Sequence, residues 1–468
     1  MTPLSLLWEF PLLRTTTPPL ATWDALLPDQ ATRLPDELAK IDAYLDDESF
    51  IAAWRAHFHA RLGRPSVPIP TLLRLLYLKH RYGLGYESLC REVGDSISWR
   101  RFCRIPLDRP VPHPTTLSKL VRRAGPGVID QLNHALLGKL AGDKLLGGRK
   151  LRVDTTVVEA DIDYPTDADL LEQAVRKAGG LVRRIKAQDA ASRTAFRDRG
   201  RAAGRRLRQL AYSLRRRGGQ AMAEVDRLTA QVARIASQTV HQAQVVARNA
   251  RRALGRRPAD GRLGRLVGEL DETISNAYRL LWQTEQRLAG NRVIPDRLVS
   301  LADLDARPIR KGKPQHPTQF GYNLLVAEDE RGFVADHQLQ QGNPPDGPQL
   351  VPSVERVANR TGRVAATVVG DRGFGTAAND RALAELGVRR IGLQRKGTVS
   401  AARAQLERTR AFRRLRNWRV GIEARISHLK RGFGLRRTRL RRLPGAKTWV
   451  GLGVFAYNLQ RMTVLAAG

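Results

Sequence analysis

Cysteine is nearly absent from this chain. Cys90 and Cys103 are its only two, without paired metal-type spacing, which excludes a disulfide framework and a zinc finger and fits a reducing compartment. Aromatic residues are scarce as well. Nine Tyr and eleven Phe in 468 residues, with no aromatic-rich strand motif, leave little platform for stacking unpaired bases and disfavour a structural RNA-binding protein. Long apolar runs are missing too. LSLLWEFPLL carries Glu9 and no basic flank, and WVGLGVFAYNLQRMTVLAAG is interrupted by Asn458, Gln460 and Arg461, so neither a signal peptide nor a membrane span is expected. Acidic side chains are short relative to basic ones. Against 81 Lys and Arg stand 45 Asp and Glu, a formal charge of +36, far beyond what solubility needs and the mark of a polyanion binder, with nucleic acid the obvious polyanion. At 42% hydrophobic content a chain of this length is still able to build two or three cored domains.

Residues 1–147 read as helical. TLLRLLYLKHRYG has apolar residues at helical spacing, Gly83 and Gly85 break it, and YESLCREV and SISWRRFCR follow as short helices. Helices split by so brief a turn predict a helix-turn-helix whose recognition helix, about 96–104, exposes Arg100, Arg101 and Arg104 to phosphates or guanine edges. A helical bundle that only packs is the plainer alternative. At Lys150 the texture changes: KLRVDTTVVEA is dense in Val and Thr and predicts a strand ending before Pro165. Residues 169–295 then read as an Arg-rich helical insertion. Within it, residues 181–220 hold 13 Lys and Arg against 2 Asp, with Gly-Gly pairs at 179–180 and 218–219 as expected hinges. Such one-sided charge predicts a grip on DNA, led by Arg215, Arg216 and Arg217, rather than an ordinary solvated face.

Strand texture resumes with FGYNLLVAE and FVADHQLQ around a DERG turn, which predicts a hairpin. The Pro-rich GNPPDGPQ leads to a helix near Leu350 to Asn359, the buried strand VAATVVGD, the helix TAANDRALAEL and the strand VRRIGL. Residues 148–168 with 296–468 therefore predict an α/β domain, a mixed sheet with covering helices, in which ligands gather at strand ends.

Three acids fall at telling places in that layout. Asp154 lies in the first strand, Asp371 at the carboxyl end of VAATVVGD, and Glu423 on a helix in WRVGIEARISHLKRGFGL. On this helix Ile422, Ile426, Leu429 and Phe433 form a buried stripe, with Arg419, Glu423 and Lys430 on a second stripe beside it. An i,i+4 Arg/Glu pair alone reads as a surface ion pair, and an Asp before a Gly-containing turn alone reads as a turn-closer. The surroundings favour another reading. Residues 401–442 hold 15 Lys and Arg with Glu407 and Glu423 as the only acids, so an acid on that face obstructs DNA unless a metal uses it. Two Asp and one Glu from two strands and a helix suit a pair of Mg²⁺ ions, hard cations that take carboxylate oxygens and leave sites for phosphate and water. Asp161, Asp163 and Asp167 read as loop groups near the first acid, and His428 as packing or a phosphate contact.

These residues resemble the bacterial insertion-sequence transposases of the DDE type. Arg419, Glu423 and Lys430 match the R-x3-E-x6-K part of that family's third motif, with Arg416 where the motif has tyrosine. RVDTTVVEADIDYPTD looks like the first-acid segment and VVGDRGFG like the second; VPIPTLLRLLYLKHRYGLGYESL and the closing AYNLQR extend the likeness over most of the chain. The resemblance implies a ribonuclease-H-like core interrupted between its first two strands. It also implies binding of double-stranded element ends and target DNA by a homodimer in a synaptic complex, in the bacterial cytoplasm with the nucleoid. Asp154 would bridge two Mg²⁺ ions, with Mn²⁺ as a possible substitute, and Asp371 and Glu423 would each complete one; Arg419, Lys430 and Arg416 would contact DNA. A metal-dependent nuclease or resolvase of the same fold, and an inactive DNA-binding derivative, are the alternatives.

Overall fold

The computed structural model of the chain describes residues 12–18, 26–28, 30, 33–58, 63–215, 219–256, 261–291, 293–310 and 318–465. Two compact units result, one from Met1–Asp161 with Gly321–Gly468 and the other from Ile162–Phe320.

The first unit begins with α1 (Asp36–Tyr44), α2 (Ile69–Arg81), α3 (Tyr86–Asp95), α4 (Ile97–Phe102) and α5 (Pro114–Gly142), followed by β1 (Lys150–Glu159). The second holds α6 (Asp167–Lys186), α7 (Gly200–Leu214), α8 (Gly219–Gly255) and α9 (Gly261–Leu288). The chain then rejoins the first unit through β2 (Gln319–Asp329), β3 (Val334–Gln341), α10 (Leu350–Thr361), β4 (Thr367–Gly370), α11 (Ala377–Glu385), β5 (Arg390–Leu393), α12 (Ala401–Arg408), α13 (Arg410–Gly432) and α14 (Arg442–Leu465).

In the first unit these strands lie in the order β3-β2-β1-β4-β5. The β1–β2 and β2–β3 pairs are antiparallel, and the β1–β4 and β4–β5 pairs are parallel. The β-branched run of β1 suits its central place, where both edges are hydrogen-bonded. TVVG of β4 is buried at every position, as a parallel strand covered on both faces must be. Leu151, Val153, Leu325, Val354, Val368 and Phe374 share one core, each contributing about 1.5–3 kcal/mol of burial. The apolar helix α14 packs on α5, α2 and β3. Its Asn458 side chain accepts from Val334 N and donates to Val334 O, both at 3.0 Å, which satisfies backbone groups at the start of β3.

The second unit is a helical bundle whose apolar stripes meet in a core including Leu171, Val175, Val182, Val232, Val240 and Leu270. Its basic residues turn outward on α7, where Arg201, Arg205 and Arg208 are exposed at one-turn spacing. Two expectations are corrected here. Gly179 and Gly180 are not a hinge but lie inside continuous α6, where Gly179 lets the Asp198 carboxylate approach to within 3.2 Å of where a Cβ would stand. Asp167 is not a loop group beside the first acid. It is a buried anchor of this unit, held by Arg287 at 3.0 Å, Arg297 at 2.9 Å and Gln283 at 3.0 Å.

Candidate active site

Sheet register brings two of the three acids together. Val153 of β1 stands beside Gly370 of β4, so Asp154 and Asp371, one residue further along each strand, emerge side by side at the carboxyl end of the parallel pair. Asp154 also faces Val326 across the antiparallel pair. The third acid comes from α13, whose first turn is capped by Thr409 accepting from Phe412 N and which packs against β1, β4 and β5.

A buried ion cluster fixes that helix on the sheet. Glu328 of β2 is fully buried and accepts from Arg152 Nε at 2.7 Å and Nη2 at 2.9 Å, and from Arg425 Nε of α13 at 2.7 Å. Arg152 Nη1 also donates to Trp418 O at 3.1 Å. Only glycine at position 421 leaves room for this crossing, because a Cβ there would collide with the Arg152 guanidinium. One turn of α13 on either side of Gly421 is thereby set in rotation, and with it Arg419 and Glu423.

Arg419 lies between two of the acids. It reaches Glu423 Oε1 at 3.0 Å and Asp154 Oδ2 at 3.5 Å. Asp154 Oδ1 accepts from Thr155 N at 2.7 Å, and Asp371 Oδ1 accepts from Gly373 N at 2.8 Å. Burial first, then the Asp371 carboxylate and, more weakly, Glu423, push the Asp154 carboxyl up to about 6, although the Thr155 amide and Arg419 pull the other way. An acid raised by other acids marks a site with an excess of negative charge. Among the described residues no group of three or more His, Cys, Asp or Glu side chains stands close enough to hold a metal ion; the cation joining Asp154 to Glu423 is the chain's own Arg419.

The sequence reading passed over a fourth carboxylate. Asp346, in the Pro-rich loop after β3, accepts from Thr155 Oγ1 at 2.9 Å. A Cβ on Gly373 would lie 2.6 Å from Asp346 Oδ2 and 2.9 Å from Asp371 Oδ1, so the two carboxylates flank one glycine. Asn379 ties their loops together by donating to Gly347 O at 2.9 Å and Phe374 O at 2.8 Å. The donor set around Asp154 is thus all carboxylate oxygen, chemistry that suits hard divalent cations. Glu423, with a 61% exposed side chain, has the freedom to complete such a set.

The other candidate residues are spread more widely. Lys430 is half-buried in the last turn of α13, and Arg416 is exposed on the same helix. His428 packs edge-on against Phe433 and Tyr457 at 5.5 and 5.7 Å, with burial and nearby arginines holding its ring below the usual value. The arginines of α4 differ from expectation. Arg100 donates to Pro106 O at 2.6 Å and Leu107 O at 3.2 Å, and Arg104, just past α4, pairs with Asp42 at 3.1 Å and Asp46 at 2.6 Å; both are engaged within the fold, and Arg101 between them is half-buried like its neighbours. Arg215 is exposed in the turn after α7, while Arg216 and Arg217 lie outside the described residues.

Comparison with known proteins bears on the same regions. Residues 23–123 match a family described as Transposase domain (DUF772). Residues 298–459, which include Asp371 and Glu423, match one described as Transposase DDE domain. An uncharacterized protein, ORF8 in the nfe locus of Rhizobium meliloti, is 26% identical over 165 residues, 33% of this chain and 76% of that protein. No solved structure matches.

Proposed function

The chain belongs to the insertion-sequence DDE transposases, and we propose that it binds the ends of its own element, cuts the DNA there and joins the freed end to target DNA. The observation that carries this reading is the buried Asp154 beside Asp371 at the mouth of the sheet, its carboxyl raised by burial and then by Asp371. The strand order, with β1 to β3 antiparallel and β4 and β5 added in parallel, supports a ribonuclease-H-like core. The unit Ile162–Phe320, inserted between β1 and β2, supports a separate DNA-gripping part.

In this reading Asp154, Asp371 and Glu423 would hold divalent cations, Mg²⁺ or Mn²⁺, at the carboxyl end of the parallel strand pair. When bound, such cations lower the pKa of the attacking water or 3′-hydroxyl and neutralise the leaving oxygen in an in-line displacement. Arg419, freed from Asp154 and Glu423, turns its guanidinium to the scissile phosphate, with Lys430 about three turns further along the same helix. Asp346 holds Thr155, and so the backbone after Asp154, in place. Cutting and joining use one site in turn, within a homodimer that holds two ends together. Among the described residues no helix is long and apolar enough to cross a membrane.

The test is a labelled duplex carrying the element end and its flank, incubated with the protein. Mg²⁺ or Mn²⁺ should yield end cleavage and joined products, and Ca²⁺ should permit binding with little chemistry. Undiminished cutting in EDTA after exhaustive dialysis would overturn the metal mechanism. Cleavage without joining would favour the nuclease reading.

A further inference from the structure

A second incomplete charge site lies in the first unit, away from the carboxylates. A cavity of about 1200 Å³ is lined by seven Lys and Arg side chains against one acid, Asp161. It is larger than the roughly 300–1,000 Å³ of an ordinary small-molecule pocket. In its wall Lys79 of α2 is 4% exposed, its ammonium 4.9 Å from the Tyr86 ring centroid and 4.3 Å from that of Trp449. Among the described residues no carboxylate pairs with it. Burial and then the neighbouring Arg439 lower its pKa to about 8. The adjacent His80, 2% exposed, packs edge-on to Trp449 at 4.9 Å and leaves its Nε2 buried without a hydrogen-bond partner.

A buried cation without a counter-ion and a buried imidazole nitrogen without a partner are both costly unless something else completes them. They share one cavity with partly exposed aromatic rings, and the arginines at its rim supply further positive charge. A polyanion whose monomers also carry a flat ring satisfies all of these together: phosphates for Lys79, Arg436 and Arg439, and a base plane for Trp449. The recess suits a single strand, because only an unstacked base reaches an aromatic ring inside a cavity.

We propose that this cavity, formed by Lys79, His80, Tyr86, Trp449, Arg436 and Arg439, binds a stretch of single-stranded DNA with a base stacked on Trp449. Its rim is strapped to the strand that carries Asp154: Glu159 N donates to Arg436 O at 3.0 Å, and Thr438 N donates to Glu159 O at 2.8 Å. Five residues of β1 separate Glu159 from Asp154, about 16 Å at strand rise. A strand held here leads along β1 to the carboxylates. The site is a strand-holding site for the proposed reaction and depends on that reading only for the choice of DNA as ligand.

The experiment measures binding of a single-stranded oligonucleotide containing 2-aminopurine to the full chain in EDTA, where no cutting intervenes. Trp449→Ala should weaken binding by about 5- to 150-fold, the worth of one stacked base, and abolish the quenching of 2-aminopurine. Lys79→Met, which keeps the side chain's volume, should flatten the log–log salt slope by about 0.7, and Arg436→Ala with Arg439→Ala by up to about 1.4. Circular dichroism confirms that each variant is folded; should Trp449→Ala fail to fold, Lys79→Met and the arginine pair carry the test. Unchanged affinity and salt slope in those folded variants would overturn the proposal. Inorganic phosphate displacing the oligonucleotide at equal phosphate concentration, with no quenching at any stage, would also overturn it by reducing the cavity to an anion sink. Wild-type cutting beside unaltered variant binding removes this inference alone, and variant-sensitive binding beside an inert wild type removes only the reading as a transposase.

Discussion

Asp154 and Lys79 are opposite cases of one physical situation. Each is a buried charge shifted by burial and then by a neighbour of its own sign: burial and then Asp371 raise Asp154 to about 6 against the pull of Arg419, and burial and then Arg439 lower Lys79 to about 8. Glu328, in the same unit, is a buried charge that the chain compensates with its own cations. Glu328 is fully buried, yet Arg152 and Arg425 both reach it at 2.7 Å. At Glu328 the chain supplies both counter-ions; at Asp154 and Lys79 burial and like-charged neighbours favour a ligand of opposite sign. The carboxylates suit a cation and the basic cavity suits a polyanion.

The comparison is sharpest if the compensated charge is broken first. Glu328→Gln leaves Arg152 and Arg425 facing a neutral amide, and urea unfolding should show a loss of about 3–5 kcal/mol, with the Glu423 helix loosened and cutting reduced. A loss below about 1 kcal/mol would mean that the cluster is not what fixes α13.

Neutralising either Asp154 or Lys79 should do the reverse in the ligand-free protein. Asp154 has a folded pKa of about 6, above the ordinary aspartate value of 3.8. Its stabilising contribution is therefore present below pH 3.8 and lost as pH rises through about 6, roughly 3 kcal/mol in all. Asp154→Asn should remove that slope and leave the metal-free protein more stable at pH 7. Lys79 is the mirror case. Its folded pKa of about 8 lies below 10.5, so its contribution is present above pH 10.5 and lost as pH falls through about 8. Lys79→Met should stabilise the DNA-free protein at pH 7 by a net ~1–2 kcal/mol, since lost cation–π contacts offset part of the gain. Thermal melts across pH check both, and stability profiles parallel to wild type would contradict the view that burial and like-charged neighbours make these charges costly.

The smallest effect concerns Asp346. Asp346→Ala removes the acceptor of Thr155 Oγ1, and stability should fall by about 1 kcal/mol. Cutting should fall by more than stability alone explains, because the backbone beside Asp154 is released. A cutting rate unchanged from wild type would return Asp346 to the role of a loop residue.

How much was legible follows from where each residue's partners lie. Asp154, Asp371 and Glu423 stood out because strand texture and helical spacing are local, and sheet register then did the rest. Asp346 was hidden in a Pro-rich loop, since its link to Thr155 spans 191 residues. Arg104 was read as outward because its partners, Asp42 and Asp46, lie 62 and 58 residues away. The pair Gly179–Gly180 looked like a hinge, but Ala178, Leu181 and Val182 are buried in the bundle core, and such packing outweighs the ~1 kcal/mol helix penalty of a glycine. Lys79 and His80 drew no notice at all. They sit at the end of an apolar helical run, and nothing local says that a basic cavity opens beside them.

The most direct test of the account is the rate of element-end cleavage in Mg²⁺ by Asp154→Asn, Asp371→Asn and Glu423→Gln, measured beside end binding. Each change removes a carboxylate charge with almost no change in volume. The account predicts a loss of at least about 10²–10³-fold in cutting for every one of the three, the scale of several kcal/mol of lost metal-borne charge stabilisation, with end binding nearly intact. Wild-type cutting by any one of them would remove that residue from the site and contradict the triad.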